Sequence, residues 1–378
     1  MVTPRPLAQP RRLKVFMVAG EASGDAYGAL LLKELQRICQ DRGWTLEAVG
    51  WGGDAMQSVG MRLLTHCNTI NFMGFWEVAQ HLPTIVRKLK RAQRDVVAES
   101  PDVVVTLDFP GFNMRLARAL RSHGHHALRV QWVAPQVWAW KAGRIQKLAE
   151  DFDAVAPILP FETKALSDGG VEVWNEGHPL LDLVAVPGEE ERSLPLVLLP
   201  GSRQQELKHH LPVFIQAAQE GASRGFWTFA DVVVAGAPGR SLQDYKAATD
   251  AGLAVTFSET QRLLAQAQVA WVASGTATLE AALLDTPHVL VYRTSQLTYA
   301  LAKRLAKVTY IGLPNLLLNE GAVPELIQHD FTVEGLLEHT QGDLQAQRAA
   351  FQRVRQTLGG SGAAARLAQR LTEAFQEA

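Results

Sequence analysis

Two short apolar runs in opposite halves of this chain each end in a small, glycine-bearing turn and then pass into helical sequence. The first run, Leu13-Lys14-Val15-Phe16-Met17-Val18-Ala19, leads into Gly20-Glu21-Ala22-Ser23-Gly24-Asp25. The second, Val269-Ala270-Trp271-Val272-Ala273, leads into Ser274-Gly275-Thr276-Ala277-Thr278-Leu279-Glu280. A strand that turns tightly into a helix leaves backbone N–H groups at the positive helix end, where phosphate or sugar oxygens can bind. One such turn is common. Two of them in separate α/β halves predict a ligand held in a cleft between two Rossmann-like domains, an arrangement that points toward nucleotide-sugar chemistry.

The pattern between these turns fixes the fold class. Residues 15–19, 103–107, 127–133 and 154–159 read as short buried strands, separated by helical periodicity at 27–39 and 114–123. Continuous apolar strands alternating with helices are what a parallel sheet covered on both faces requires. Ala185-Val186-Pro187-Gly188-Glu189-Glu190-Glu191-Arg192 is charged and aperiodic and reads as a linker. The alternation then restarts, with strands at 196–199, 231–235, 254–257, 269–273 and 288–292. The intervening helices fall at 204–223, 241–251, 261–267 and 276–284, and a last helix at 363–376 follows Gly359-Gly360-Ser361-Gly362. The expected class is α/β, with two Rossmann-like domains facing a cleft. The expected boundaries are 1–184 and 193–345, with a helical tail at 346–378 that packs back on an N-terminal domain.

Composition narrows the partners. A chain of 378 residues suits two domains, and 47% apolar content is ample for two cores. A formal charge of −1 gives no general case for nucleic-acid binding. Cys39 and Cys67 are the only cysteines, too few for a disulfide framework or a cysteine-rich metal site, as in a reducing cytoplasm. Residues 1–12 read as a loose leader, and no run approaches the roughly twenty apolar residues of a membrane span.

Several segments could carry chemistry, each with a plainer alternative. In Leu199-Pro200-Gly201-Ser202-Arg203 an arginine at a helix start adds a forked cation to an anion site, which suits a diphosphate; the alternative is a turn with a surface arginine. The hydroxyls of Ser274, Thr276 and Thr278 can meet phosphate, and Glu280 can chelate ribose hydroxyls, unless the segment is an N-cap with its acid. Asp108 stands at the carboxyl end of a buried strand, where ligands of open α/β sheets collect. It can act as a base on an alcohol or cap the following helix. Trp132, Trp138 and Trp140 can stack on sugars or fill a wall. His178 is a structural histidine or a ligand contact near the domain junction. Phe72-Met73-Gly74-Phe75-Trp76, followed by Leu82, Ile85, Val86 and Leu89 among five basic residues, is either a membrane-dipping surface or a core helix with a solvated side. Residues 297–307 suit a second lipid-facing surface or a subunit contact, so a homodimer stays open.

Taken in order, these motifs resemble the lipid-A-disaccharide synthase family. The resemblance rests on Ala19–Asp25 of the first turn, Phe72-Met73-Gly74-Phe75, Pro135-Gln136-Val137-Trp138-Ala139-Trp140, and Leu159-Pro160-Phe161-Glu162. It continues through Gly177-His178-Pro179-Leu180, Leu199-Pro200-Gly201-Ser202-Arg203, the turn at 274–280 and Leu313-Pro314-Asn315-Leu316-Leu317. It covers about residues 13–328. It implies a metal-independent, inverting glycosyltransferase of the two-Rossmann B fold, with no cofactor, peripheral on the cytoplasmic face of the membrane. The family transfers 2,3-diacylglucosamine from UDP to the 6-hydroxyl of 2,3-diacylglucosamine 1-phosphate, so a UDP-sugar donor and a glycolipid acceptor are the implied partners. The resemblance places the family's essential aspartate on Asp108 and its loop glutamate on Glu21. Ser23, Gly24, Asn113 and His178 fall among the substrate contacts. Gly201, Ser202, Arg203, Ser274, Gly275, Thr276, Thr278, Glu280 and Asn315 fall on the donor side. This chain departs from the family pattern Asp-x-Pro-Asp-Phe-Asn, having Phe109 where a small residue is usual and Gly111 in place of the second acid. Two rivals keep the fold: a UDP-sugar epimerase, which needs no lipid-facing surface, and a non-catalytic binder of glycolipid or nucleotide.

Overall fold

The chain divides into two units, one comprising Met1–Asp182 with Ser361–Ala378 and the other Leu183–Gly360. The computed structural model describes residues 11–69, 82–135, 143–185, 192–296, 299, 304 and 309–377. The expected surface at 72–81, Trp138 and Trp140, and nearly all of 297–307 lie outside the described residues.

In the first unit the strands are β1 (Arg12–Ala19), β2 (Thr45–Gly52), β3 (Arg62–His66), β4 (Val103–Leu107), β5 (Leu128–Trp132) and β6 (Ala154–Ala156). They form a sheet in the order β3-β2-β1-β4-β5-β6, and each neighbouring pair is parallel. All five residues of β4 are buried, as a central strand covered on both faces requires. Strands β2 and β3 are additions to the sequence reading. Gly50 and a register shift at Gly50/Trp51 break the apolar alternation of β2. A Cβ on Gly50 would lie 2.0 Å from the Met17 carbonyl oxygen on β1, so only glycine permits this pairing. Below the sheet, Phe16, Val18, Trp51, Phe112 and Leu116 share a core with Ala92 and Val96 of the helix Leu82–Glu99.

The second unit repeats the plan. Its strands are β7 (Leu194–Leu199), β8 (Val232–Gly236), β9 (Ala254–Phe257), β10 (Ala267–Ala273), β11 (His288–Tyr292) and β12 (Glu325–Ile327), in the order β12-β11-β10-β7-β8-β9. Trp271 on β10 anchors this core against Phe214 at 5.5 Å between ring centroids, and its Nε1 donates to Thr340 Oγ1 at 2.8 Å. The helix Leu344–Leu358 belongs here as well, so the chain leaves this unit later than the expected boundary at 346. Its Phe351 stacks on His288 at 5.5 Å, and its Gln347 accepts the His288 backbone N–H at 2.9 Å. The final helix, Ala363–Glu377, lies in the first unit, where the Asp182 carboxylate accepts the N–H groups of Gly362 and Ala364.

Both strand orders have the same topology. In each, strand order reverses once, at β1/β4 and at β7/β10, and in doubly wound sheets ligands bind outside the carboxyl ends of the strands at that reversal. The four turns that follow β1, β4, β7 and β10 carry the predicted motifs.

One motif residue works inside the fold. Asp25, in the helix Ala22–Asp41, is 5% exposed. Its carboxylate accepts N–H groups from Gly53 at 2.7 Å, Ala55 at 2.8 Å and Met56 at 3.1 Å. It therefore caps the neighbouring helix Asp54–Ser58, whose own N-cap is Gly53. Asp25→Ala leaves these donors unsatisfied and is expected to lower the unfolding free energy by about 2–4 kcal/mol, read as a reduced denaturant midpoint.

Candidate functional site

In the first unit, paired residues Ala19 and Leu107 bring the turns after β1 and β4 side by side. Glu21 is the N-cap of Ala22–Asp41, and Ser23 is half-buried in the first turn. Gly24 starts the helix close to the sheet, where a Cβ would stand in ordinary contact with Ala19 Cβ at 3.4 Å and Leu107 Cβ at 3.5 Å. Across this junction, a Cβ on Gly20 would fall 2.5 Å from the Phe109 ring. Phe109 thus lies against the Gly20 turn and stacks on Phe112 at 5.5 Å. Gly111 is exposed, with open space where a side chain would stand.

Asp108 is half-buried at the end of β4, and its backbone is strained. Its φ is 47°, that of Phe109 is 45°, and Val133 beyond β5 has φ 68°. Left-handed backbone at non-glycine residues costs about 1–3 kcal/mol each and persists only where neighbours hold it. Here the holding groups are amides. Asn113 Nδ2 donates to Asp108 O at 2.7 Å and Leu107 O at 3.2 Å. Gln131 Nε2 lies within bonding distance of Asp108 O (3.2 Å), Trp132 O (3.2 Å) and Val133 O (2.9 Å). Asn113 is wholly buried, so it shapes the turn from beneath instead of facing a ligand through its Nδ2. Gln131 was missed from sequence, where it reads as one polar residue in an apolar strand.

His178 is 1% exposed. Its Nδ1 accepts the Leu180 N–H at 3.1 Å, which puts the ring proton on Nε2. That Nε2 has no hydrogen-bond partner among the described residues. The ring meets Tyr27 edge-on at 6.4 Å, and Tyr27 meets Trp132 at 6.1 Å, so His178 belongs to the same end of the sheet as Asp108.

In the second unit, paired residues Leu199 and Val272 bring the turns after β7 and β10 together. The turn Gly201-Ser202-Arg203 differs from a vacant anion cradle. The Glu206 carboxylate accepts the N–H groups of Ser202 at 3.0 Å and Arg203 at 3.2 Å, and lies 3.3 Å from Arg203 Nη1. Gly201 has φ 113°, and a Cβ there would strike Glu206 Oε2 at 2.4 Å. Two donors assigned to phosphate are thus taken by an internal acid, while the Arg203 side chain remains 41% exposed. Below the turn, His210 Nδ1 donates to Pro200 O at 2.7 Å and its Nε2 accepts the Arg293 N–H at 3.1 Å. This buried histidine, also missed from sequence, ties the end of β7 to the end of β11.

At the other turn the N-cap of the helix Thr276–Leu283 is Gly275, and no side chain among the described residues caps it. Ser274 and Thr276 are half-buried and Gly275 is exposed. Thr278 is buried, with its hydroxyl donating to Gly275 O at 2.8 Å, which makes it a brace of the turn. Glu280 accepts from Gln261 Nε2 at 3.0 Å, and burial raises its carboxyl above the usual range. Asn315 is fully buried: its Nδ2 donates to Val323 O and Glu325 Oε1, both at 2.8 Å, and its Oδ1 accepts the Val323 N–H at 2.8 Å. It holds the approach to β12, and its amide is fully engaged there.

Residues 15–365 match the family described as lipid-A-disaccharide synthetase. The chain belongs to that family. Among its curated relatives, the lipid-A-disaccharide synthase of Acidobacterium capsulatum is 33% identical over 96% of each chain. That of Anaeromyxobacter sp. strain K is 36% identical over 94% of this chain and 96% of the relative. Similar solved structures confirm the fold of two Rossmann-like domains. A UDP-GlcNAc 2-epimerase from Neisseria meningitidis bound to UDP-GlcNAc has a TM-score of 0.63, with 10% identity and coverage of 96% of this chain and 100% of that one. The calicheamicin glycosyltransferase CalG4 has a TM-score of 0.54 at 18% identity, covering 97% and 99%. No helix among the described residues is long and apolar enough to cross a membrane.

The buried histidine of this family member gives a pH signature. Burial pushes His178 down to about 3 from an ordinary 6.5. The unfolded chain therefore binds a proton that the folded chain refuses between those values, and stability falls as pH drops through that window. The expected slope is about 1.4 kcal/mol per pH unit from this group. Urea midpoints measured from pH 7 to 4 should fall less steeply in His178→Gln than in wild type.

Proposed function

We propose that this chain joins UDP-2,3-diacylglucosamine to 2,3-diacylglucosamine 1-phosphate, giving the lipid A disaccharide 1-phosphate and UDP. Family membership sets the reaction class: the chain is a glycosyltransferase of lipid A synthesis. The observation that supports the assignment of roles is the placing of Asp108 and Arg203 at the strand-order reversals of their respective sheets.

In this reading the Asp108 carboxylate takes the proton of the acceptor 6-hydroxyl as that oxygen bonds to the donor sugar carbon. The bond from that carbon to the diphosphate breaks, and UDP leaves with the electron pair. Glu21 and the Ser23-Gly24 turn hold the acceptor side. The uncapped start of Thr276–Leu283, with Ser274 and Gly275, takes the diphosphate, and the exposed Arg203 guanidinium neutralises its growing charge. Glu280 orients ribose hydroxyls beside Gln261.

The same reading makes the protein peripheral on the cytoplasmic face of the membrane. On Leu82–Glu99, Val86 and Val97 are 43% and 50% exposed and share a helical stripe with the exposed Lys90 and Arg94. Exposed apolar side chains among cations suit an anionic lipid surface that also holds both substrates.

The test is a mass-spectrometric assay in detergent micelles with both diacyl substrates. The tetraacyl disaccharide phosphate should form with or without EDTA, and Asp108→Asn should lower turnover by about 10²–10⁴-fold. Near-wild-type turnover in that variant would remove Asp108 as the base. Donor consumed without the disaccharide would assign a different acceptor.

A further inference from the structure

We infer that Gln131 is a positioning residue for Asp108, its carboxamide fixing the strained backbone that aims the carboxylate. The inference rests on the reading of Asp108 as the base. Gln131 and Thr106 are register partners on β5 and β4, and both are buried, at 0% and 1% exposure. Thr106 Oγ1 donates to Gln131 Oε1 at 2.7 Å. That bond occupies the amide oxygen and turns the NH2 group toward the carbonyls of Asp108, Trp132 and Val133.

Two of those three carbonyls belong to left-handed residues, Asp108 and Val133, and Phe109 continues the left-handed path. The Asp108 peptide is gripped from both sides. Its N–H donates to Trp132 O at 3.1 Å, while its carbonyl receives Gln131 and Asn113. Asn113 belongs to the helix Pro110–Ser122 that the turn itself begins, so it moves with that turn. Gln131 belongs to the neighbouring strand and ties the turn to the sheet. Without its donors, Asp108 O keeps only Asn113, Trp132 O keeps only the Asp108 N–H, Val133 O loses its amide donor, and the turn relaxes toward ordinary φ values. The carboxylate swings with its backbone, and a displacement of about 1 Å at a reacting group lowers rate by roughly 10²-fold.

The choice of side chain is chemical, beyond volume. Methionine fills similar space without donors. Glutamate has the shape of glutamine but sets carboxylate oxygens against carbonyl oxygens. Valine at 106 removes only the hydroxyl that orients the amide.

The experiment compares wild type, Gln131→Met, Gln131→Glu, Thr106→Val and Asp108→Asn as full-length proteins in the two-substrate micelle assay. Melting is followed in parallel, and rates are taken well below each midpoint. Gln131→Met should lower kcat about 10- to 100-fold with each KM within about threefold of wild type. Gln131→Glu should lose more than Gln131→Met despite its matching volume, and Thr106→Val should lose less. If the Gln131 variants do not fold, Thr106→Val decides alone, since its kcat should still drop with KM unchanged. A wild-type kcat in Gln131→Met, or in Thr106→Val as sole readable variant, overturns the proposal, as does a loss confined to KM. Turnover surviving in Asp108→Asn overturns the base assignment itself, whereas an inactive Asp108→Asn beside a fully active Gln131→Met overturns only the role of Gln131.

Discussion

The reversal of strand order at β1/β4 and at β7/β10 is the constraint from which the rest of the structure follows. On either side of a reversal the connecting helices pass to opposite faces of the sheet, so the ends of the two central strands are left uncovered. Loops there escape the packing that fixes the interior and can present polar groups at the rim of an apolar sheet. Two such uncovered ends, one per unit, account for why the chemistry-bearing residues lie so far apart in sequence. Each pair of turns is joined by one register contact, Ala19 to Leu107 and Leu199 to Val272.

A second theme is how the helix starts near these ends are satisfied. Internal carboxylates accept the first N–H groups in several places. Asp25 serves Asp54–Ser58, Glu162 serves the residues entering Pro160–Asp168, and Glu206 serves Gln204–Ser223. Glu325 serves the start of Leu313–Leu318, accepting from Gly312 at 2.9 Å. The attraction between an anion and a helix start therefore holds the fold together at those positions. Thr276–Leu283, like Ala22–Asp41 and Pro110–Ser122, has no side-chain cap among the described residues, and a negatively charged ligand at such a start would supply the same attraction.

Much of this was legible in the residues. Apolar runs such as 103–107 and 269–273 mark strands buried on both faces, and the helix at 204–223 follows from its spacing, because both patterns report burial directly. Strands β2 and β3 were not legible, since a glycine bulge and half-exposed residues erase the alternation. Among candidate site residues, the class of turn could be read but not the direction of each side chain. Asn315, Thr278 and Asn113 look like ligand contacts in sequence and are engaged with the protein's own backbone in the structure. Glu206, His210 and Gln131 drew no notice because their roles depend on neighbours that only the tertiary fold supplies.

The placement of Ala363–Glu377 in the first unit has a consequence for how the protein comes into being. The second unit is one uninterrupted stretch, Leu183–Gly360, whereas the first is made of two pieces separated by it. A ribosome releases the amino-terminal piece first, yet the helix that Asp182 caps emerges only after the whole second unit. The unit begun earliest is thus finished last. A premature stop near residue 360 would spare the second unit and leave the first with its sheet but without its last helix, and the apolar side of Ala22–Asp41 that receives that helix would be exposed to aggregation or to proteases.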